Sequence, residues 1–175
     1  TIVIASTSTR FVPTAILGFL EENDHIKVKH SREDVATVKA KLLAHEIDLA
    51  IACPPVKGEN IETKIMGVEE IKAVVSADHP LAKQSAVRLA DLAKEELLAL
   101  STEYSYRNMM DDLFEREGLT PNYVFEGGQA TLIEMMRLHR GVSLIPTPLS
   151  RDMPDREAFV ELPICEPTTY RTIAV

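Results

Sequence analysis

Cysteine is nearly absent from this sequence, and its scarcity excludes two classes of small domain. Cys53 and Cys165 stand far apart with no CxxC partner, so neither a disulfide framework nor a zinc site follows. Cys53 ends the apolar run Leu49-Ala-Ile-Ala52 and reads as a buried free thiol, which points to a reduced, cytoplasmic setting. Basic residues are also few: 19 Lys and Arg face 27 Asp and Glu, a net charge of −8. A nucleic-acid-binding module must present cations to phosphate, so this chain is not expected to touch DNA itself. No apolar run approaches the length, about 20 residues, of a membrane-spanning helix. The opening Ile2-Val-Ile-Ala5 shows neither the charged region nor the cleavage site of an export signal. Nucleophile elbow and Walker A loop are missing, and the five His show no i, i+4 pair for a helical metal site. Acid pairs such as Glu95-Glu96 and Asp111-Asp112 point apart on a helix or strand and read as solvated faces. No catalytic residue, metal or cofactor is expected.

What is present is an alternation of strand-like and helix-like segments in a sequence that is 45% hydrophobic, enough for a sizeable core. Residues 2–5 form a continuous β-branched run, the mark of a strand buried on both faces. Pro13 opens a helix with Ile16, Leu17 and Leu20 at helical spacing. Strands at 26–30 and 48–52 enclose a helix from Val35 to about His45, giving a β-α-β-α-β unit and a parallel sheet. Further strands are expected at 61–66, 71–76, 97–100, 122–126, 142–145, 159–162 and 171–175, and helices at 89–92, 107–117 and 131–139. Gly118 and Pro121 end the helix at 107–117. This order suits two lobes, 1–74 with 149–175 and 75–148, joined by two crossing strands. A small-molecule cleft is expected between them, at strand carboxyl ends and helix N-termini.

Hydroxyls and glycines gather where such a ligand would be met. The run Glu126-Gly127-Gly128-Gln129-Ala130-Thr131 reads as a turn opening a helix, whose free N–H groups suit an anion. Ser6 to Thr9 either cap the following helix or face a ligand. Ser31 with Asp34 has capping-box spacing. Arg32 offers a fork for two oxygens, or stands solvated. Ser101 to Tyr106 combines hydroxyls with apolar rings, as a binding loop or an ordinary surface loop. Arg107 opposes the dipole of its own helix, a hint of a nearby anion. Met109, Met110, Met135 and Met136 are expected in the core.

Several motifs in one order resemble the effector-binding domain of LysR-type transcriptional regulators over essentially the whole chain. They are Ser6 to Thr9 before Pro13, Glu46-Ile-Asp-Leu-Ala-Ile51, and His79-Pro-Leu-Ala82 ahead of Leu89 and Leu92. Phe114, Gly118 and Pro121 follow, and Gly141 to Pro146 closes the series. Two positions depart from the family's usual glycine, His45 and His139; both would be helix C-caps, where a side chain is strained.

The resemblance implies an α/β, two-lobed periplasmic-binding-protein-like (type 2) fold with mainly parallel sheets and a hinge of two crossing strands. It implies a catalytically silent domain that binds a small polar metabolite, a carboxylate or other anion, and alters subunit packing to control transcription. The effector contacts it implies are Ser6, Thr7, Ser8, Ser31, Arg32, Val35, Ser101, Tyr104, Tyr106, Gly128 and Thr131. It also implies self-association as a dimer, with a tetramer conceivable at full length. DNA would be contacted only through a winged helix-turn-helix and a long dimerising helix ahead of this segment. A transport solute-binding protein of the same architecture is the alternative, and an enzyme on this fold is a third reading without an assembled set of catalytic groups.

Overall fold

The computed structural model describes residues 1–8, 12–138, 141–147 and 154–175. In chain order its elements are β1 (Ile2–Ser6), α1 (Val12–Glu22), β2 (Val28–Arg32), α2 (Val35–Leu43), β3 (Leu49–Ile51) and β4 (Ile65–Ser76). There follow β5 (Val87–Arg88), α3 (Leu89–Leu92), β6 (Leu97–Leu100), α4 (Ser105–Arg116), β7 (Tyr123–Gly127) and α5 (Gln129–Leu138). β8 (Ser143–Pro146), β9 (Phe159–Cys165) and β10 (Tyr170–Ala174) complete the chain. The protein divides into two compact units, Thr1–Val68 with Thr172–Val175, and Glu69–Arg171.

In the first unit β1 is the central strand, paired in parallel with β2 and β3. Its apolar run fits a position flanked on both sides. β2 lies two residues later than the expected 26–30, because its ladder to β1 runs from Ile2↔Val28 to Ser6↔Arg32. Asp48 explains the acidic residue at the entry to β3. Its carboxylate accepts the Val3 N–H (2.8 Å) while its own N–H donates to the Val3 carbonyl (2.8 Å). A side chain thus lengthens the ladder by one rung. The core of this unit is Ala5, Val38, Ile47, Ala50, Ala52 and Val56, with Val3, Val35, Leu42 and Ile61 at its margin.

α2 is capped by Asp34, and the Ser31 box is not formed. The Asp34 carboxylate accepts the Thr37 N–H (2.8 Å) and hydroxyl (2.7 Å), and those bonds hold its pKa below the usual value. Asp lies one residue before the helix, where its oxygen reaches the orphan N–H groups, and Ser31 is still in the strand. The other end of α2 closes through His45 N–H to Leu42 O (3.1 Å) and Glu46 N–H to Lys41 O (2.9 Å). His45 therefore occupies the left-handed position of a Schellman motif, with φ 56°. We expect His45→Gly to stabilise the protein by about 0.5–1 kcal/mol and raise Tm by about 1–4 °C in a thermal melt, as relief of strain outweighs the added freedom of the unfolded chain. An unchanged or lower Tm would refute strain at this cap. The other expected cap, His139, lies outside the described residues.

β4 is one twelve-residue strand where two short ones were expected; Gly67 sits within it without ending it. β4 and β10 are neighbours in one sheet, and each has residues in both units, which makes them the two crossing strands. The unit boundaries depart from the expected lobes: of the described residues beyond 149, those from 154 to 171 belong to the second unit. β9 explains the difference, since it pairs antiparallel with β4 from Lys72↔Pro163 to Ser76↔Phe159 and parallel with β5.

The second unit also pairs β8 antiparallel with β4 and β6 parallel with β7. A parallel bridge, Leu97↔Val142, joins β6 to the residues leading into β8. One core cluster centres on Ile71, Leu89, Leu92, Leu97, Phe114, Leu162 and Ile164; a second gathers Val74, Leu98, Leu132, Met136 and Ile145. Met110 and Met136 are buried in these clusters and Met109 and Met135 pack on them, as expected of core methionines. Gly141 is required by a close approach. A Cβ there would lie 2.7 Å from Leu98 Cγ and 2.9 Å from the Glu96 carbonyl oxygen, and the latter is backbone that cannot swing aside. His79 caps the short 3₁₀ turn Pro80–Lys83 through Nδ1, which accepts the Leu81 N–H (3.1 Å).

Candidate functional site

In the first unit the expected residues lie at the carboxyl ends of parallel strands, the usual ligand side of an α/β sheet. Ser6 ends β1 and is 0% exposed; its Oγ lies 2.9 Å from His30 Nε2. Thr7 is nearly as buried, and its Oγ1 accepts the Cys53 N–H (2.9 Å) and donates to the Cys53 carbonyl (3.3 Å). Both hydroxyls thus serve the sheet. Ser8 is half-buried, and Thr9, named with them as a cap, lies outside the described residues.

Strand period separates the residues on β2. Ile4↔His30 and Ser6↔Arg32 share one face, and Ala5↔Ser31 lies on the other, toward α2. The Ser31 hydroxyl accordingly meets Glu33, whose carboxylate also takes Lys41 of α2. Those hydrogen bonds, Lys41 first, hold the Glu33 pKa below its usual range. Arg32 is exposed, and Val35 is half-buried at the margin of the core. The structure therefore groups Ser6, His30 and Arg32 and parts Ser31 from them. His30 was missed; its only signal in the sequence was the two-residue spacing from Arg32.

In the second unit the expected residues follow β6 and β7. The Ser101 N–H donates to the Gly127 carbonyl (2.9 Å) and its carbonyl accepts the Tyr104 N–H (3.1 Å). α4 begins at Ser105, two residues before the expected 107, with Tyr104 as its N-cap residue. The Tyr106 hydroxyl donates to the Leu144 carbonyl (2.9 Å), and the Arg171 guanidinium carbon lies 5.6 Å from the centre of its ring. α5 also starts two residues early, at Gln129, with the Gly128 carbonyl accepting the Leu132 N–H (2.9 Å). Thr131 is exposed in its first turn, where backbone N–H groups have no partner within the helix. A Cβ on Gly128 would lie 3.6 Å from the Tyr104 hydroxyl, so the loop after β6 meets the turn after β7.

Arg107 needs no external anion. It is 7% exposed and donates through Nε to both Asp111 oxygens (2.9 and 3.0 Å). Its Nη1 donates to Glu126 Oε2 (2.6 Å) and the Leu100 carbonyl (3.0 Å). Burial opposes its charge, but the hydrogen bonds to Asp111 and Glu126 outweigh that and raise its pKa. The Tyr123 ring lies 3.7 Å beneath the guanidinium, and its hydroxyl donates to Asp111 (2.7 Å). Burial first, then that carboxylate, pushes the Tyr123 phenol far above its ordinary value. The cation at the wrong helix end is thus a brace tying α4 to the ends of β6 and β7.

The sequence also concealed a buried ion pair. Arg171 of β10 donates through Nε to Glu69 Oε2 of β4 (2.6 Å), and its Nη2 lies at the same distance from that oxygen. These residues are 102 positions apart. Among the described residues no group of three His, Cys, Asp or Glu is placed to hold a metal ion, and no helix is long and apolar enough to cross a membrane. Cys53 and Cys165 are free thiols, the first buried as expected.

A family model described as LysR substrate binding domain matches residues 1–175. The transcriptional dual regulator GltC of Bacillus subtilis (strain 168) is 29% identical over 172 residues, which cover 97% of this chain and 57% of GltC. An HTH-type transcriptional regulator of the same organism, YybE, is 30% identical over 140 residues, 79% of this chain and 48% of that protein. The chain thus spans about half the length of the curated relatives it matches. Among solved structures, the Synechocystis PCC6803 CcmR regulatory domain in complex with 2-PG superposes with TM-score 0.79 at 18% identity, covering 99% of this chain and 85% of that one. The BenM effector binding domain with its effector benzoate gives 0.81 at 18% identity, covering 99% and 82%. Both share the two-lobed periplasmic-binding-protein-like fold. Matched along its whole length, the chain belongs to the LysR substrate-binding-domain family, an effector-binding regulatory domain of transcription regulators and not an enzyme.

Proposed function

We propose that this chain senses a small polar anion and reports its presence to a DNA-binding segment of the full-length regulator. The observation that carries the reading is the placement of the expected residues. In each unit they stand at carboxyl ends of parallel strands, and in the second unit those ends lead into the first turns of α4 and α5. Open N–H groups there favour negative charge, and the neighbours solved with 2-PG and with benzoate are in accord with such a ligand. The effector acts, in this reading, through unequal affinity for two arrangements of the protein.

A thermal-shift titration with benzoate, 2-PG, citrate, sulfate and inorganic phosphate tests this. A ligand at 100 times its Kd adds about 2.7 kcal/mol, or about 5–11 °C in Tm. At least one of these anions is expected to give a saturable rise; a flat response to all of them would refute an anionic effector.

DNA contact is assigned to a segment outside this chain, in keeping with the excess of 27 acidic over 19 basic residues. The two thiols fit a cytoplasmic home. Self-association is assigned to α1, where Leu17 is 60% exposed and shares one helix side with exposed Pro13 and half-buried Leu20, an apolar stripe of the kind that marks an interface. Leu17→Asp should convert a dimer to monomer in sedimentation velocity; an unchanged dimer would place the interface elsewhere.

A further inference from the structure

Resting on the anionic effector proposed above, the structure assigns its recognition in the first unit to His30 and Arg32 of β2, with Ser6 as the residue that positions His30. Ser6 is 0% exposed and Thr7 9% exposed. The Thr7 hydroxyl is bonded in both directions to the Cys53 backbone, and the Ser6 hydroxyl to His30. An effector reaching either hydroxyl would have to open the end of the sheet. His30 and Arg32, by contrast, are both exposed.

The parallel register places these two side chains on the sheet face that carries Ser6 of β1, opposite the face packed on α2. Residues two apart on a strand lie about 6–7 Å apart, within the span of one small ligand. The 2.9 Å contact from Ser6 engages Nε2, and Nδ1 has no hydrogen-bond partner among the described residues. When the Ser6 hydroxyl donates to Nε2, the ring proton resides on Nδ1, and the exposed edge of the ring becomes a donor. Arg32 adds a guanidinium with five N–H donors, so an internal partner does not exhaust it. Two donors and a fixed positive charge select an oxyanion, carboxylate or phosphate, over a neutral metabolite.

Two measurements test the assignment. The first needs no ligand: ¹⁵N NMR of the histidine rings, with the His30 signals identified by their loss in His30→Ala. The Nδ1–H tautomer is expected, and the Nε2–H tautomer would overturn the proposal. The second is calorimetric titration with benzoate as the carboxylate probe and inorganic phosphate as the phosphate probe. Binding of at least one is expected, with His30→Ala and Arg32→Ala each weakening it at least tenfold. Ser6→Ala, checked for folding by circular dichroism, should weaken it by less than His30→Ala does. Binding lost in a folded Ser6→Ala but intact in His30→Ala would overturn this assignment and leave the anionic effector standing. Wild-type protein indifferent to both probes and to the wider anion set would overturn the effector reading and this assignment with it.

Discussion

Glu69→Ala should destabilise the protein by about 3–5 kcal/mol, the cost of leaving a buried cation without its partner. Arg171 and Glu69 are 6% and 8% exposed, and both guanidinium contacts converge on one carboxylate oxygen at 2.6 Å. Removing the carboxylate strands the guanidinium in a site with almost no water. Its neighbour there is the Tyr106 ring at 5.6 Å, which offers a weaker attraction. In a melt the loss corresponds to a fall of about 6–20 °C for a chain of this size. The double variant Glu69→Met with Arg171→Met should recover most of it, because a buried pair stabilises little beyond an apolar pair of similar volume. A single-variant loss below about 1 kcal/mol, the scale of exposed pairs, would show that water reaches the site.

Phe114→Ala should cost about 3–5 kcal/mol, through lost transfer energy and the cavity it leaves. The ring is 1% exposed within a cluster that includes Met110, Leu113, Leu92 and Leu162. Its carbonyl accepts the Leu119 N–H (2.9 Å) across the turn where Gly118 takes φ 66°. Phe114→Leu, which keeps most of the volume, should cost under about 2 kcal/mol in urea denaturation. Equal losses from the two variants would mean that ring shape decides, and volume does not.

These cases show where reading from the sequence ended. α3 and β6 fall at the expected residues, because short apolar runs bounded by polar turns leave little freedom. Strands at 61–66 and 71–76 are expected where β4 runs unbroken from Ile65 to Ser76, because its pairing with β8, β9 and β10 is a tertiary context that outweighs the low β-propensity of Gly67. β2 was displaced because alternation marks a strand without fixing its register, and register is set by the partner, here β1. The cap of α2 went to Asp34 over Ser31 through a choice of one or two positions that spacing alone leaves open. Buried charges were the least legible. Arg107 invited an external anion while Asp111 and Glu126 were already at hand, and Arg171 found Glu69 at the far end of the second unit. Site geometry was legible as a set of loops, since strand ends and helix starts announce themselves. Which hydroxyls the sheet would consume was not, because the partners of Ser6 and Thr7 come from β2 and from the residues after β3.

The path of the chain through β4 and β10 also sets an order of assembly on the ribosome. Residues 69–171 form one contiguous unit, whereas the first unit takes four further residues, Thr172–Val175, from beyond it. Ala52 exchanges hydrogen bonds with Ala174, and Lys64 with Val175, so two rungs of the first unit wait for residues made after the second unit. With synthesis at about 5–20 residues per second, the second-made unit can close while the first-made one is still open at its edge. The N-terminal part of this domain is thus born early and finished last, since its edge rungs form only once Thr172–Val175 have followed the second unit.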